Sequence, residues 1–212
     1  MDDLSTRFAD VVTSEEGFRS VMGVPGERAA RKEIAFLDAH CRAFIARSPF
    51  VLVSSADADG RMDVSPKGDP PGFVQVLDER TLAIPDRLGN RRADTFRNLL
   101  QRDTVGLLFL VPGKRETLRV SGRAIIVRDH ALRESMAVAG KLPDFALVVA
   151  VAQVMFHCAK CVIRSNLWNP AAWPDLAGLP SLGEALIAAG KLDASAAELD
   201  ASIERDYVAQ LY

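Results

Sequence analysis

Phe50-Val51-Leu52-Val53-Ser54-Ser55-Ala56-Asp57-Ala58-Asp59-Gly60-Arg61-Met62-Asp63-Val64 decides the fold. An apolar run enters Asp57-Ala58-Asp59-Gly60, a turn whose glycine can take positive φ, and Arg61 to Val64 continues as a second strand, so the stretch reads as a β-hairpin. Ser48-Pro49 fixes where it begins, because the residue before a proline avoids the helical region. Downstream the pattern repeats. Phe73 to Leu77 and Thr81 to Ile84, parted by Asp78-Glu79-Arg80, form a second hairpin, and the four strands read as a meander.

Beyond them Asn90 to Gln101 has helical spacing, with Ala93, Phe96, Leu99 and Leu100 on one stripe and Asn90 as the expected N-cap. Val105 to Val111 is an apolar strand, and Pro112-Gly113 turns the chain. In Thr117 to Val127, Leu118, Val120, Ala124 and Ile126 share a face opposite Arg119, Ser121 and Arg123. Asp129 to Ala139 reads as helical and Ala146 to Phe156 as the last long strand. Upstream, Ser14 to about Arg47 reads as an amphipathic helical arm, with Ile34, Leu37, Cys41, Phe44 and Ile45 at three- and four-residue spacing. Ser181 to Tyr212 carries two helical patterns broken at Gly190.

The expected architecture is mainly β with peripheral helices: a six-stranded antiparallel barrel rather than a doubly wound sheet. Its expected parts are an N-terminal arm over residues 1–48, the barrel over 49–168 and a helical tail over 169–212 packed on the same domain.

Composition sets the outer limits. In 212 residues, 49% are hydrophobic and 25% charged, the balance of a globular chain with a substantial core. Formal net charge is -2 with the signs interleaved, which argues against nucleic acid as a partner. The acidic start, Met1-Asp2-Asp3-Leu4, argues against a secretion signal. The longest apolar run, Phe145 to Phe156, is too short for a membrane span, so no membrane association is expected. Cys41, Cys158 and Cys161 read as reduced thiols in a cytoplasm.

Chemistry concentrates in Ile84-Pro85-Asp86-Arg87-Leu88-Gly89-Asn90-Arg91-Arg92, where a strand meets a helix and three arginines flank a glycine. Such a junction suits an anion, since backbone N–H groups and guanidinium donors converge there. The same arginines read equally as a solvated surface pair. Lys67, in Val64-Ser65-Pro66-Lys67-Gly68-Asp69-Pro70-Pro71-Gly72, adds a second cation at a strand end, or merely faces water on a stiff connection. His157, Cys158 and Cys161 fall short of a four-ligand zinc site and lack the setting of a redox Cys-x-x-Cys. Asp57, Asp59 and Asp63 resemble a calcium loop only in their alternation, which turn chemistry explains.

Together, Ser65 to Phe73, Ile84 to Arg92, Leu110-Val111-Pro112-Gly113, Glu116 to Ala124 and Phe156-His157-Cys158-Ala159-Lys160 resemble the pyridoxamine 5′-phosphate oxidase-like FMN-binding split barrels over about Pro49 to Trp168. The resemblance implies an FMN phosphate held by Lys67, Arg91 and Arg92 beside Asn90. It implies a homodimer with the cofactor at the interface, Ser65, Pro66, Pro85 and Asp86 lining the flavin from one subunit. Arg119, Lys160, Arg164 and Trp168 would come from the partner, with Arg164 and Trp168 on one helix face.

The activity implied is a flavin-dependent oxidoreductase acting on a small molecule, with NADH or NADPH as the expected donor. A non-catalytic flavin or haem carrier is the alternative implied, and a dimeric scaffold with an empty groove a third. One departure stands out. The namesake oxidases end in an arginine- and tryptophan-containing segment, whereas this chain ends in an acidic helix from Ala197 to Tyr212, which argues against vitamin B6 oxidation.

Overall fold

Strand alternation explains most of the architecture in the computed structural model, which describes residues 4–212. The acidic residues Met1-Asp2-Asp3, on which the reading against export leans, lie outside the described residues. The chain forms two compact units, one ending at Glu33 and the other spanning Ile34–Tyr212.

The first unit holds a short 3₁₀ turn at Leu4–Arg7 and the helices α1, Glu15–Met22, and α2, Glu27–Ala30. The expected continuous helix from Ser14 to Arg47 is therefore broken. Gly23, at φ 76°, ends α1, and Pro25 lies in the gap before α2.

In the second unit, Ile34 is not helical but pairs with Val154 as an isolated bridge. Helix α3, Ala39–Ile45, follows, capped by the Asp38 side chain, which accepts the Cys41 N–H. Leu37, Cys41, Phe44 and Ile45 of the expected stripe are core residues. At the chain reversal Ser48 is fully buried, its Oγ donating to the carbonyls of Phe50 and Leu110 at 2.7 Å each.

Seven strands, one more than expected, make one antiparallel sheet: β1 Phe50–Ala56, β2 Met62–Gly68, β3 Gln75–Asp78, β4 Thr81–Pro85, β5 Thr104–Leu110, β6 Thr117–Val127 and β7 Ala146–His157. Their order is β2-β1-β5-β6-β7-β4-β3. Both hairpins form, but β2 and β3 lie at opposite edges, so the four strands do not meander. The second side of β1 is taken by β5 and that of β4 by β7, and Asp69-Pro70-Pro71-Gly72 carries the chain between the edges. The inward residues of β1, β5 and β6, among them Val51, Val53, Leu107, Phe109, Leu118 and Val120, close the core against α3. In β4, Leu82 and Ile84 face that core, while Ala83 joins Met136 and Ala146 in a smaller cluster on the other side. Burial on both faces is why Thr81–Pro85 shows no alternation.

Three further helices complete the barrel's surroundings: α4, Asp94–Leu99, between β4 and β5; α5, His130–Ser135, between β6 and β7; and α6, Lys160–Arg164, after β7. Helices α7, Leu182–Gly190, and α8, Ala196–Ala209, then pack on each other. Ser181 opens α7 with a reciprocal capping box to Glu184. Among the described residues, no helix is long and apolar enough to cross a membrane.

Candidate functional site

The edge strand β2 sets the site. Asp63, Ser65 and Lys67 pair across from Ser55, Val53 and Val51, so they point to the core side of the sheet, where α4 and the 86–93 connection stand off from the strand. The space between is a cleft of about 660 Å³, within the range of small-molecule and cofactor sites. Its walls are Asp63 to Lys67, Asp86 to Phe96, the loop Lys141 to Phe145, and Tyr212.

Helix α4 is pinned to β1 and β2 by two polar contacts. Thr95 Oγ1 donates to Asp63 Oδ2 at 3.0 Å, and Asn98 Nδ2 donates to the buried Ser55 Oγ at 3.0 Å. Phe96 meets Phe145 edge to face at 5.5 Å, and the Asp86 N–H donates to the Phe145 carbonyl at 3.0 Å. These contacts fix both ends of the connection that carries the arginines.

Between those ends the backbone is strained. Arg91 and Ala93 take left-handed conformations, at φ 59° and 54°, which cost a non-glycine residue about 1–2 kcal/mol each. The expected N-cap, Asn90, is displaced by this geometry. Ala93 caps α4 without a side-chain bond, and Asn90 Oδ1 instead accepts the Arg92 N–H at 3.0 Å.

The cleft is densely charged. Lys67 Nζ lies 3.6 Å from Asp86 Oδ1. Burial raises the Asp86 carboxyl above its ordinary value, Lys67 pulls it back down, and Asp144 adds to the rise. Arg92 Nε donates to Asp94 Oδ2 at 2.8 Å. Arg87 Nε donates to Asp69 Oδ2 at 2.6 Å, a pair in which the Asp69 side chain is 1% exposed. Lys141 Nζ donates to the Tyr212 carbonyl at 2.7 Å. That leaves Arg91 as the one lining cation without a hydrogen bond or ion pair among the described residues.

Of the residues singled out from sequence, Ser65, Pro66, Lys67, Asp86, Asn90, Arg91 and Arg92 line this one cleft. Pro85 is buried at the end of β4 beside it. Arg119, Lys160, Arg164 and Trp168 do not line it. Arg119 lies on the outward side of β6, bonded to Gln153 Oε1 at 2.9 Å, and Trp168 Nε1 donates to the Lys114 carbonyl at 2.7 Å. Arg164 and Trp168 do not share a helix face: α6 ends at Arg164, and Asn166 turns left-handed at φ 51°.

Sequence reasoning missed Asp69, Arg87, Lys141, Asp144 and Tyr212. Arg87 and Asp69 carried a usable signal, opposite charges in the two Pro/Gly-rich segments already under suspicion. Tyr212, 143 residues from its partner Asp69, carried none.

Residues 37–158 match the family described as pyridoxamine 5′-phosphate oxidase. Similar solved structures include HupZ from Group A Streptococcus, at 16% identity over 55% of this chain and 90% of that one, with a TM-score of 0.46. Another is an FMN-binding protein from Syntrophomonas wolfei, at 13% identity over 55% and 83%, TM-score 0.44. HutZ, the heme storage protein of Vibrio cholerae, is similar at 16% identity over 57% and 94%, TM-score 0.41. No curated protein matches.

Proposed function

The chain belongs to the pyridoxamine 5′-phosphate oxidase family, and from that premise we propose that it is an FMN-dependent oxidoreductase acting on a small molecule. One observation carries the reading: Lys67, Asn90, Arg91 and Arg92, drawn from two distant segments, converge on one cleft in which Arg91 is uncommitted. A phosphate dianion supplies the acceptors that Arg91 lacks. It also competes readily for Arg92, whose pair with Asp94 is exposed and therefore weak.

In this reading Arg91, Arg92 and Lys67 hold the phosphate, with the Asn90 side chain fixing the turn that presents Arg92. Ser65, Pro66, Pro85 and Asp86 flank the ring. When bound, the flavin supplies hydride and electron transfer, and the protein supplies orientation and a shaped electrostatic wall. Asp86, half-buried against Lys67, is one titratable group of that wall.

The proposal includes a homodimer. The outward face of β2, β1 and β5 presents Met62, Val64, Pro66, Phe50, Leu52, Leu108 and Leu110 in adjacent register, continuing to Arg119 and Met155. Met62 is 68% and Val64 58% exposed. A second copy seated on this apolar face buries it and brings Arg119 to the interface; Lys160, Arg164 and Trp168 are assigned to the partner's side of the groove. The proposed setting is the cytoplasm, where the thiols of Cys41, Cys158 and Cys161, none of them in a disulfide, stay reduced.

The test is an FMN titration followed by flavin fluorescence, sizing of the loaded protein, and anaerobic mixing with NADH or NADPH. Saturable binding by a dimer and rapid bleaching support the proposal. Binding with no accelerated bleaching makes the protein a flavin carrier, and absence of binding overturns the reading. A Soret band on adding haem marks the haem alternative. No histidine lies among the residues lining the cleft, so a haem iron meets no imidazole on this wall.

A further inference from the structure

Four parts of the second unit meet at the rim of the cleft: the turn after β2, the connection after β4, the loop before β7 and the segment after α8. The Asp69 carboxylate is the knot. One oxygen accepts Arg87 Nε at 2.6 Å and the other accepts the Tyr212 hydroxyl at 2.6 Å. The Tyr212 ring lies beneath the Arg87 guanidinium, whose Cζ is 5.7 Å from the ring centroid, and the Tyr212 carbonyl accepts Lys141 Nζ. Asp69 is almost wholly enclosed, so this is a built contact between groups that satisfy one another.

The chain leading there, the last turns of α8 and then Gln210-Leu211, is solvated. Every residue from Glu204 to Leu211 is exposed, and then Tyr212 is half-buried. A segment solvated along its length and fixed at Tyr212 is a strap rather than a wall. Its bond to Asp69 holds the phenol above its usual range.

We propose that the segment after α8 is a strap across the mouth of the cleft, latched by Tyr212 on Asp69, which must open for a ligand to enter or leave. The proposal rests on the cleft being the FMN site argued above. Its contacts are a few hydrogen bonds at a rim, the class of interaction that opens locally without global unfolding. Unlatching frees one side of Asp69 and takes the ring from beneath Arg87, so the mouth widens and the 86–93 connection is less restrained at its rim.

The experiment compares the full chain with Tyr212→Ala and Tyr212→Phe. Stopped-flow fluorescence with FMN gives entry and release rates, and limited trypsin digestion reads cleavage after Arg205 in α8. For Tyr212→Ala the expected result is at least a fivefold rise in both rates and faster cleavage at Arg205. Tyr212→Phe, which keeps the ring under Arg87 but loses the hydroxyl, falls between. Faster release with unchanged entry makes Tyr212 an ordinary contact of the ligand and overturns the strap. Unchanged rates overturn it equally, whatever the digestion shows. If the parent protein binds no FMN, the flavin reading fails separately. The strap then stands on faster Arg205 cleavage together with raised amide exchange in residues 86–93 of Tyr212→Ala, and falls without both.

Discussion

Replacing Arg91 by glycine separates what this residue does for the fold from what it does for a ligand. Its backbone lies at φ 59°, and its guanidinium has no partner among the described residues. Relieving a left-handed arginine returns about 1–2 kcal/mol. The greater freedom of glycine in the unfolded chain takes back about 0.4–1 kcal/mol. The unliganded protein should therefore gain roughly 0.5–1 kcal/mol, which for a chain of this size raises Tm by about 1–4 °C. Affinity should move the other way. A charge-assisted hydrogen bond contributes about 1.5–3 kcal/mol, and an open rim places the loss at the low end, so FMN should bind about tenfold more weakly. Arg91→Ala gives the control, with the same loss of affinity but no gain in Tm, because alanine keeps the strain. Adding Arg92→Ala to Arg91→Ala should leave at least a tenfold total loss. Thermal melts of the apoprotein and flavin-fluorescence titrations read both quantities. Unchanged affinity in Arg91→Gly refutes the phosphate assignment, and a lowered Tm refutes the strain argument.

Gly122→Ala should be the most damaging small change in the sheet. Its added Cβ would sit 2.0 Å from the Ala150 carbonyl oxygen, which is backbone and cannot rotate away, so about 3 kcal/mol and roughly 6–12 °C of Tm should be lost in a thermal melt. Gly106→Ala, which meets only the Ser54 hydroxyl at 2.6 Å, should lose clearly less. Because folding raises the Asp86 carboxyl, the folded state holds its proton more tightly. Stability from this group therefore falls as pH climbs from the unfolded value near 3.8 through the folded one. Asp86→Asn should gain on the parent over that window in Tm measured against pH, and a gap that stays constant would contradict it. Burial and Asp38 push the Cys41 thiol up to about 12, whereas Cys158 and Cys161 are exposed. A thiol-reactive chromophore at pH 8 should count two sulfhydryls in the native protein and three after unfolding.

The fold was legible wherever one face of a strand is wet and the other dry. Phe50–Ala56 and Thr104–Leu110 alternate in burial, and both were readable as strands from their apolar runs and the turns that bound them. Legibility failed where the physics is not local. Nothing in the Asp69 to Val74 stretch states that it crosses from one sheet edge to the other. That follows from β5 taking the free side of β1 and β7 taking the free side of β4. The long helical arm failed for a related reason. Ile34 and Leu37 keep helical spacing, yet Ile34 exchanges backbone bonds with Val154 and the Leu37 N–H goes to the Glu79 carbonyl, so tertiary partners outbid local periodicity.

The site shows the same division at finer grain. Lys67 and Arg91 could be suspected because proline and glycine mark places where a chain leaves its ladder and exposes donors. Which arginine is available could not be read from local spacing: the resemblance pointed to Arg91 and Arg92 together, and nothing in the segment tells the two apart. The structure separates the three arginines by their acids: the enclosed Asp69 pairs with Arg87, Asp94 holds Arg92 at the surface, and Arg91, on a left-handed backbone, has no acid partner among the described residues. Specificity in this cleft therefore depends on where the aspartates stand as much as on the cations. On the proposed function, moving Asp94 or Asp69 would change which guanidinium is open to a phosphate without touching Lys67, Arg91 or Arg92.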